Sequence, residues 1–114
     1  MALNRIAKIN ALIKQEVGKF FIREIEFPKS VIVTIARVET TADLLFAKVW
    51  ITILPIEQEP EVLPIIKDHQ WLIQRSLNRT LVIKKVPELQ FKVDKTEAQA
   101  ARIAGLLDGL KNQE

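Results

Sequence analysis

Between Leu44 and Leu54 the side chains alternate with a period of two: Leu45, Ala47, Val49, Ile51 and Ile53 fall on one face, and Phe46, Lys48, Trp50 and Thr52 on the other. Such a segment is a poor helix, because a 3.6-residue period would scatter its apolar set around the axis. It demands a sheet with one face closed against something apolar. Pro55 and Pro60 stop the strand and bracket a loop. Upstream, Val31 to Val38 is rich in β-branched residues and reads as another strand. The polar link Glu39-Thr40-Thr41-Ala42-Asp43 between them is short enough to predict a hairpin.

The flanking segments supply the cover. From about Ala2 to Arg23 the spacing predicts an amphipathic helix. At about 100° per residue, Leu3, Ile6, Ile9, Ile13, Val17, Phe20 and Phe21 share one face. Arg5, Lys8, Lys19 and Arg23 lie within about 60° of one another, roughly 130° from the apolar centre. The helix thus carries a core stripe and a basic stripe. Phe27-Pro28 closes the region, since a residue before proline disfavours helix.

A second helix is predicted from about Glu61 to Arg79, with Pro64 acceptable only in its first turn. Val62, Ile65, Ile66, His69, Leu72, Ile73, Ser76 and Leu77 face inward, while Lys67, Trp71, Arg75 and Arg79 form an outer stripe of four-residue steps. Leu81 to Val93 reads as extended, interrupted at Val86-Pro87. Thr96 and Gln99 form a possible capping box for a last helix, with Ala100, Ile103, Ala104, Leu107 and Leu110 on its apolar face. The expected architecture is an α+β sandwich: a three-stranded sheet with the helices packed on one face.

Length and charge narrow the function. The 114 residues suit one domain, read as spanning 1–114. No uncharged apolar run reaches the ~18 residues of a membrane span, and no signal core opens the chain, so a soluble cytoplasmic protein is expected. Cysteine is absent, which removes disulfides, thiolate metal sites and thiol nucleophiles. The single histidine, His69, falls on an apolar face and reads as a core residue. With no nucleophile–base pair, phosphate loop or metal-ligand cluster, no enzyme, cofactor or metal is expected.

The formal net charge is only +3, but Lys67 to Lys92 holds six basic residues against two acidic ones. Basic stripes opposite apolar ones suit a phosphate backbone. Trp71, set among Lys67, Arg75 and Arg79, is a candidate to stack on an unpaired base. Lys84 and Lys85 add charge on the third strand. A different reading is a protein-interaction module or homodimer that uses Phe46 and Trp50 on an exposed sheet face.

Several spaced motifs resemble the bacterial ribosome-binding factor A family over nearly the whole chain. They are Arg5-Ile6-Ala7-Lys8-Ile9, the segment Val38-Glu39-Thr40-Thr41-Ala42-Asp43-Leu44 followed by Ala47-Lys48-Val49-Trp50-Ile51, and Val86-Pro87-Glu88-Leu89 with Phe91, Asp94, Arg102-Ile103 and Leu106-Leu107. The resemblance implies a KH-like fold of the bacterial type. It implies binding to the free or immature small (30S) ribosomal subunit and help in late maturation and processing of 16S rRNA. This role is non-enzymatic and matters most in the cold. Small-molecule substrates and membranes are not implied, and the chain is expected to act as a monomer. Like the family, the chain lacks a Gly-x-x-Gly loop. Where the family commonly kinks its second helix with Ala-x-Gly, this chain has His69-Gln70-Trp71. The arginine that often follows is Gln74 here.

Overall fold

A computed structural model describes residues 2–95, with side chains from Arg5 onward. Helix α1 (Ala2–Glu24) leads to strand β1 (Ile32–Thr40) and strand β2 (Phe46–Leu54). A short turn of 3-10 helix (Ile56–Gln58) then enters helix α2 (Glu59–Thr80), and strand β3 (Glu88–Val93) follows. The sheet order is β1-β2-β3, with β2 antiparallel to β1 and parallel to β3. Both helices cover the same face, giving the expected α+β arrangement. The predicted last helix from Thr96 lies outside the described residues.

β2 forms the centre of the core, as its alternation requires. Ala47, Val49, Ile51 and Ile53 are at most 1% exposed, beneath Ile13 and Val17 of α1 and Val62, Ile66, Ile73 and Leu77 of α2. Each fully buried branched aliphatic contributes about 1.5–3 kcal/mol. Phe21 fixes α1 laterally by stacking on Phe91 of β3 at 6.2 Å and meeting Phe27 edge-on at 5.6 Å.

β1 contains a bulge. Ile35 pairs with Ile51 but Arg37 pairs with Trp50, so Ala36 is an extra residue. Val33 and Ile35 face the helices, and simple alternation would send Arg37 inward next. The bulge turns Val38 inward instead and delivers Arg37 to the open face.

The hairpin link is displaced relative to its sequence reading. Glu39 and Thr40 belong to β1, and the turn runs through Thr41–Leu45. Leu44 donates its amide to Thr41 O at 2.9 Å and takes a left-handed conformation, φ 64°. Asp43 stabilises this turn by accepting from Thr41 Oγ1 at 2.6 Å and from the Leu45 amide at 3.0 Å. Those bonds, the hydroxyl one first, hold its carboxyl below the ordinary carboxylate range.

Two further expectations need correction. α2 begins before Glu61, so Pro64 sits inside it and not in its first turn. Pro60 occupies the tolerant opening position, and the amide that Pro64 lacks would have reached only the Pro60 carbonyl in the first turn. α2 is continuously helical through His69-Gln70-Trp71. Finally, Leu81 to Pro87 is a loop rather than strand, so Lys84 and Lys85 precede β3.

Candidate nucleic-acid interface

All ten predicted contact residues are exposed, but they do not form one site. Four converge. α1 and α2 pack through Phe20, whose ring meets His69 edge-on at 6.4 Å. Beside that contact lies a groove of about 370 Å³ lined by Phe20, Glu24, Leu72, Arg75, Ser76, Arg79 and Thr80. It continues along α1 past Glu16, Lys19 and Arg23. Lys19, Arg23, Arg75 and Arg79 therefore rim one groove with an apolar floor. Lys19 pairs with Glu16 at 3.5 Å, a solvent-screened helix pair of small energy.

Trp71 stands on the solvent side of α2 and is 67% exposed. The Arg75 guanidinium lies over its ring, 5.3 Å from the centroid. Their four-residue spacing produces this stack, since i and i+4 are neighbours on a helix.

The other predicted residues fall elsewhere. Lys67 lines a separate hollow with Glu59, Pro60, Leu63, Pro64 and Asp68. Arg5 and Lys8 sit near the start of α1, with Lys8 about 16 Å along the axis from Lys19 at 1.5 Å per residue. Lys84 and Lys85 lie on the loop before β3, and Lys85 is close enough to Asp43 to help depress its pKa.

His69 serves the packing. Its Nδ1 is 2.8 Å from Ile65 O, and its ring rests against Phe20.

Two arrangements escape the sequence reading. On the outer edge of β3, Gln74 accepts from the Leu89 amide at 2.9 Å and donates to Pro87 O at 3.0 Å. Gln70 donates to Leu89 O at 3.0 Å. Two glutamines one turn apart thus bond the Leu89 backbone on the edge of β3 that no described strand occupies. On the open sheet face, Arg37 covers the Trp50 ring at 4.7 Å. It also bridges Glu39 and Asp94, each at 2.7 Å. These bonds, Glu39 first, push the already high Arg37 pKa higher. Trp50 is half-buried, and its Nε1 finds no acceptor among the described residues.

Periodicity alone places Phe20 and Leu72 in the core. Phe20 is half-buried against the core, Leu72 is 46% exposed, and both line the groove.

Comparison with known proteins agrees with this architecture. A crystal structure of ribosome-binding factor A from Thermus thermophilus superposes with a TM-score of 0.66 at 19% identity, covering 80% of this chain and 97% of that one. A Thermus thermophilus homology model of the same factor, fitted into the cryo-EM map of a 30S complex, gives 0.61 at 19% identity, covering 75% and 90%. At that identity the likeness establishes the KH-like fold. Sequence carries the family. Ribosome-binding factor A of Akkermansia muciniphila is 32% identical over 106 residues, covering 93% of this chain and 84% of the relative. That of Desulforamulus reducens is 31% identical over 112 residues, covering 97% and 93%. With the family model for ribosome-binding factor A matching residues 5–107, the chain belongs to the ribosome-binding factor A family.

Proposed function

We propose that this chain binds the free or immature small (30S) ribosomal subunit through its RNA and assists late maturation and processing of 16S rRNA without catalysing a chemical step. The observation that carries the proposal is the convergence of Lys19, Arg23, Arg75 and Arg79 on one groove, in a member of a ribosome-binding family. The 30S complex fitted with the Thermus thermophilus relative supports the same partner. Convergent cations match a polyphosphate backbone, which binds by releasing counterions. No described helix is long and apolar enough to cross a membrane. In this reading the chain acts in the cytoplasm as a single-domain monomer, with no small-molecule substrate.

Co-sedimentation with free small subunits across a salt series tests the proposal. Association should be strong at low salt and weaken linearly on a log–log scale. No association at low salt, or an affinity indifferent to salt, would sink it.

A further inference from the structure

We infer that the groove between α1 and α2 receives a single unpaired nucleotide of the RNA, its base on Phe20 and Leu72 and its phosphate between Arg75 and Arg79. The inference rests on the proposed RNA-binding role and adds what part of the RNA is recognised.

Three observations point there. The first is shape. The hollow is an open trough of about 370 Å³ between the two helices, at the small end of the volumes of ligand clefts. The second is chemistry. The floor is apolar, and Leu72 remains 46% exposed although the adjacent residue, Ile73, is buried. A paired helix turns phosphates and sugars outward and keeps its bases stacked inside, so it has no flat apolar surface to lay on such a floor. An unpaired base has one.

The third observation is charge. Lys19, Arg23, Arg75 and Arg79 outnumber Glu16 and Glu24 around the groove, leaving a local excess of two positive charges. That suits a phosphate attached to a buried base. Arg75 is also steadied by Trp71, whose ring it already covers. One face of Trp71 is thereby occupied, and of the pair only Arg75 lines the groove. The base accordingly goes to Phe20 and Leu72, with Trp71 acting through Arg75.

The test compares three RNA hairpins by fluorescence anisotropy with the full chain: one with a single adenosine bulge, one fully paired, and one with an abasic bulge. The adenosine bulge should bind about tenfold more tightly than the paired hairpin, the scale of one stacked base. The abasic bulge should match the paired hairpin. Leu72→Ser should erase the preference, while Arg79→Gln should weaken all three. Equal affinities, or a preference that survives Leu72→Ser, would overturn the inference. Subunit co-sedimentation separates the two levels. If subunits still bind in a salt-dependent way and no hairpin does, the nucleotide groove is wrong and the subunit reading stands. If neither binds, both fall.

Discussion

The molecule contains two arginine–tryptophan stacks, and they have opposite surroundings. On the open sheet face, Arg37 over Trp50 is tied to Glu39 and Asp94, and the indole is half-buried. On α2, Arg75 over Trp71 has no carboxylate within ion-pair distance among the described residues, and the indole is two-thirds exposed. The same pair of side chains is therefore committed to the fold in one place and available to a ligand in the other. The difference lies in the backbone. A bulge sends Arg37 across the sheet toward β3, whereas helical spacing leaves Arg75 beside its own ring facing solvent. On the open sheet face Arg37 covers the Trp50 ring, while Phe46 stays exposed.

The largest expected effect breaks the comparison on the α2 side. Reversing both Arg75 and Arg79 to Glu should abolish salt-sensitive subunit binding near physiological ionic strength, and should lower the salt slope by about two. Thermal unfolding of the same variant should change little, since both side chains are exposed. Next comes Trp71→Ala. Removing the ring that steadies Arg75 should weaken subunit binding by up to about tenfold, while stability stays within about 0.5 kcal/mol. Arg37→Ala should do the reverse. Subunit binding should persist, and the denaturant midpoint should fall modestly, because the Glu39 pair is solvent-screened, Arg37 itself is half-exposed in the Asp94 pair, and the cation–π contact is only half-buried. If both substitutions altered binding equally, the contrast between the two stacks would be lost.

Gln74→Arg introduces the residue that the family pattern often carries. Arginine keeps a donor for Pro87 O but has no acceptor for the Leu89 amide, so the change should cost about 1–3 kcal/mol in denaturant unfolding. An unchanged midpoint would show that β3 does not depend on this clamp.

The smallest effect concerns pH at the hairpin. The Asp43 pKa is depressed in the folded state, so its contribution is present above its unfolded value near 3.8 and is lost as pH falls through the lower folded value. Amide exchange at Leu45 should accelerate in that acid window. Asp43→Asn should remove the dependence.

Much of the fold is legible because burial leaves a period. The alternation in β2 and the stripe Ile9, Ile13, Val17 and Phe21 require a sheet with helices on one side, and both reside in the core. The basic stripes are legible too, but a stripe gives direction around a helix without saying what stands opposite. Only the packing of α1 on α2 shows that Lys19 and Arg23 meet Arg75 and Arg79 while Arg5 and Lys8 do not. The remaining features depend on partners distant in sequence. Arg37 reaches Asp94 across 57 positions, and Gln74 reaches Leu89 across 15. A glutamine in a helix has no periodic signature for capping a strand edge. The start of α2 is illegible for another reason: a proline normally marks a helix's first turn, and this helix contains two.

The unbroken course of α2 has a mechanical consequence. Its 22 residues make a single rod about 33 Å long at 1.5 Å per residue. Glu59, at one end, is bridged to Lys95 at 3.4 Å, where the chain leaves the sheet, and Arg79 rims the groove near the other. A kinked pair of helices could bend at its joint and absorb a displacement at either end. Here no proline or glycine interrupts α2 between Pro64 and Arg79, so a tilt imposed at Arg79 is carried along that stretch as far as Pro64.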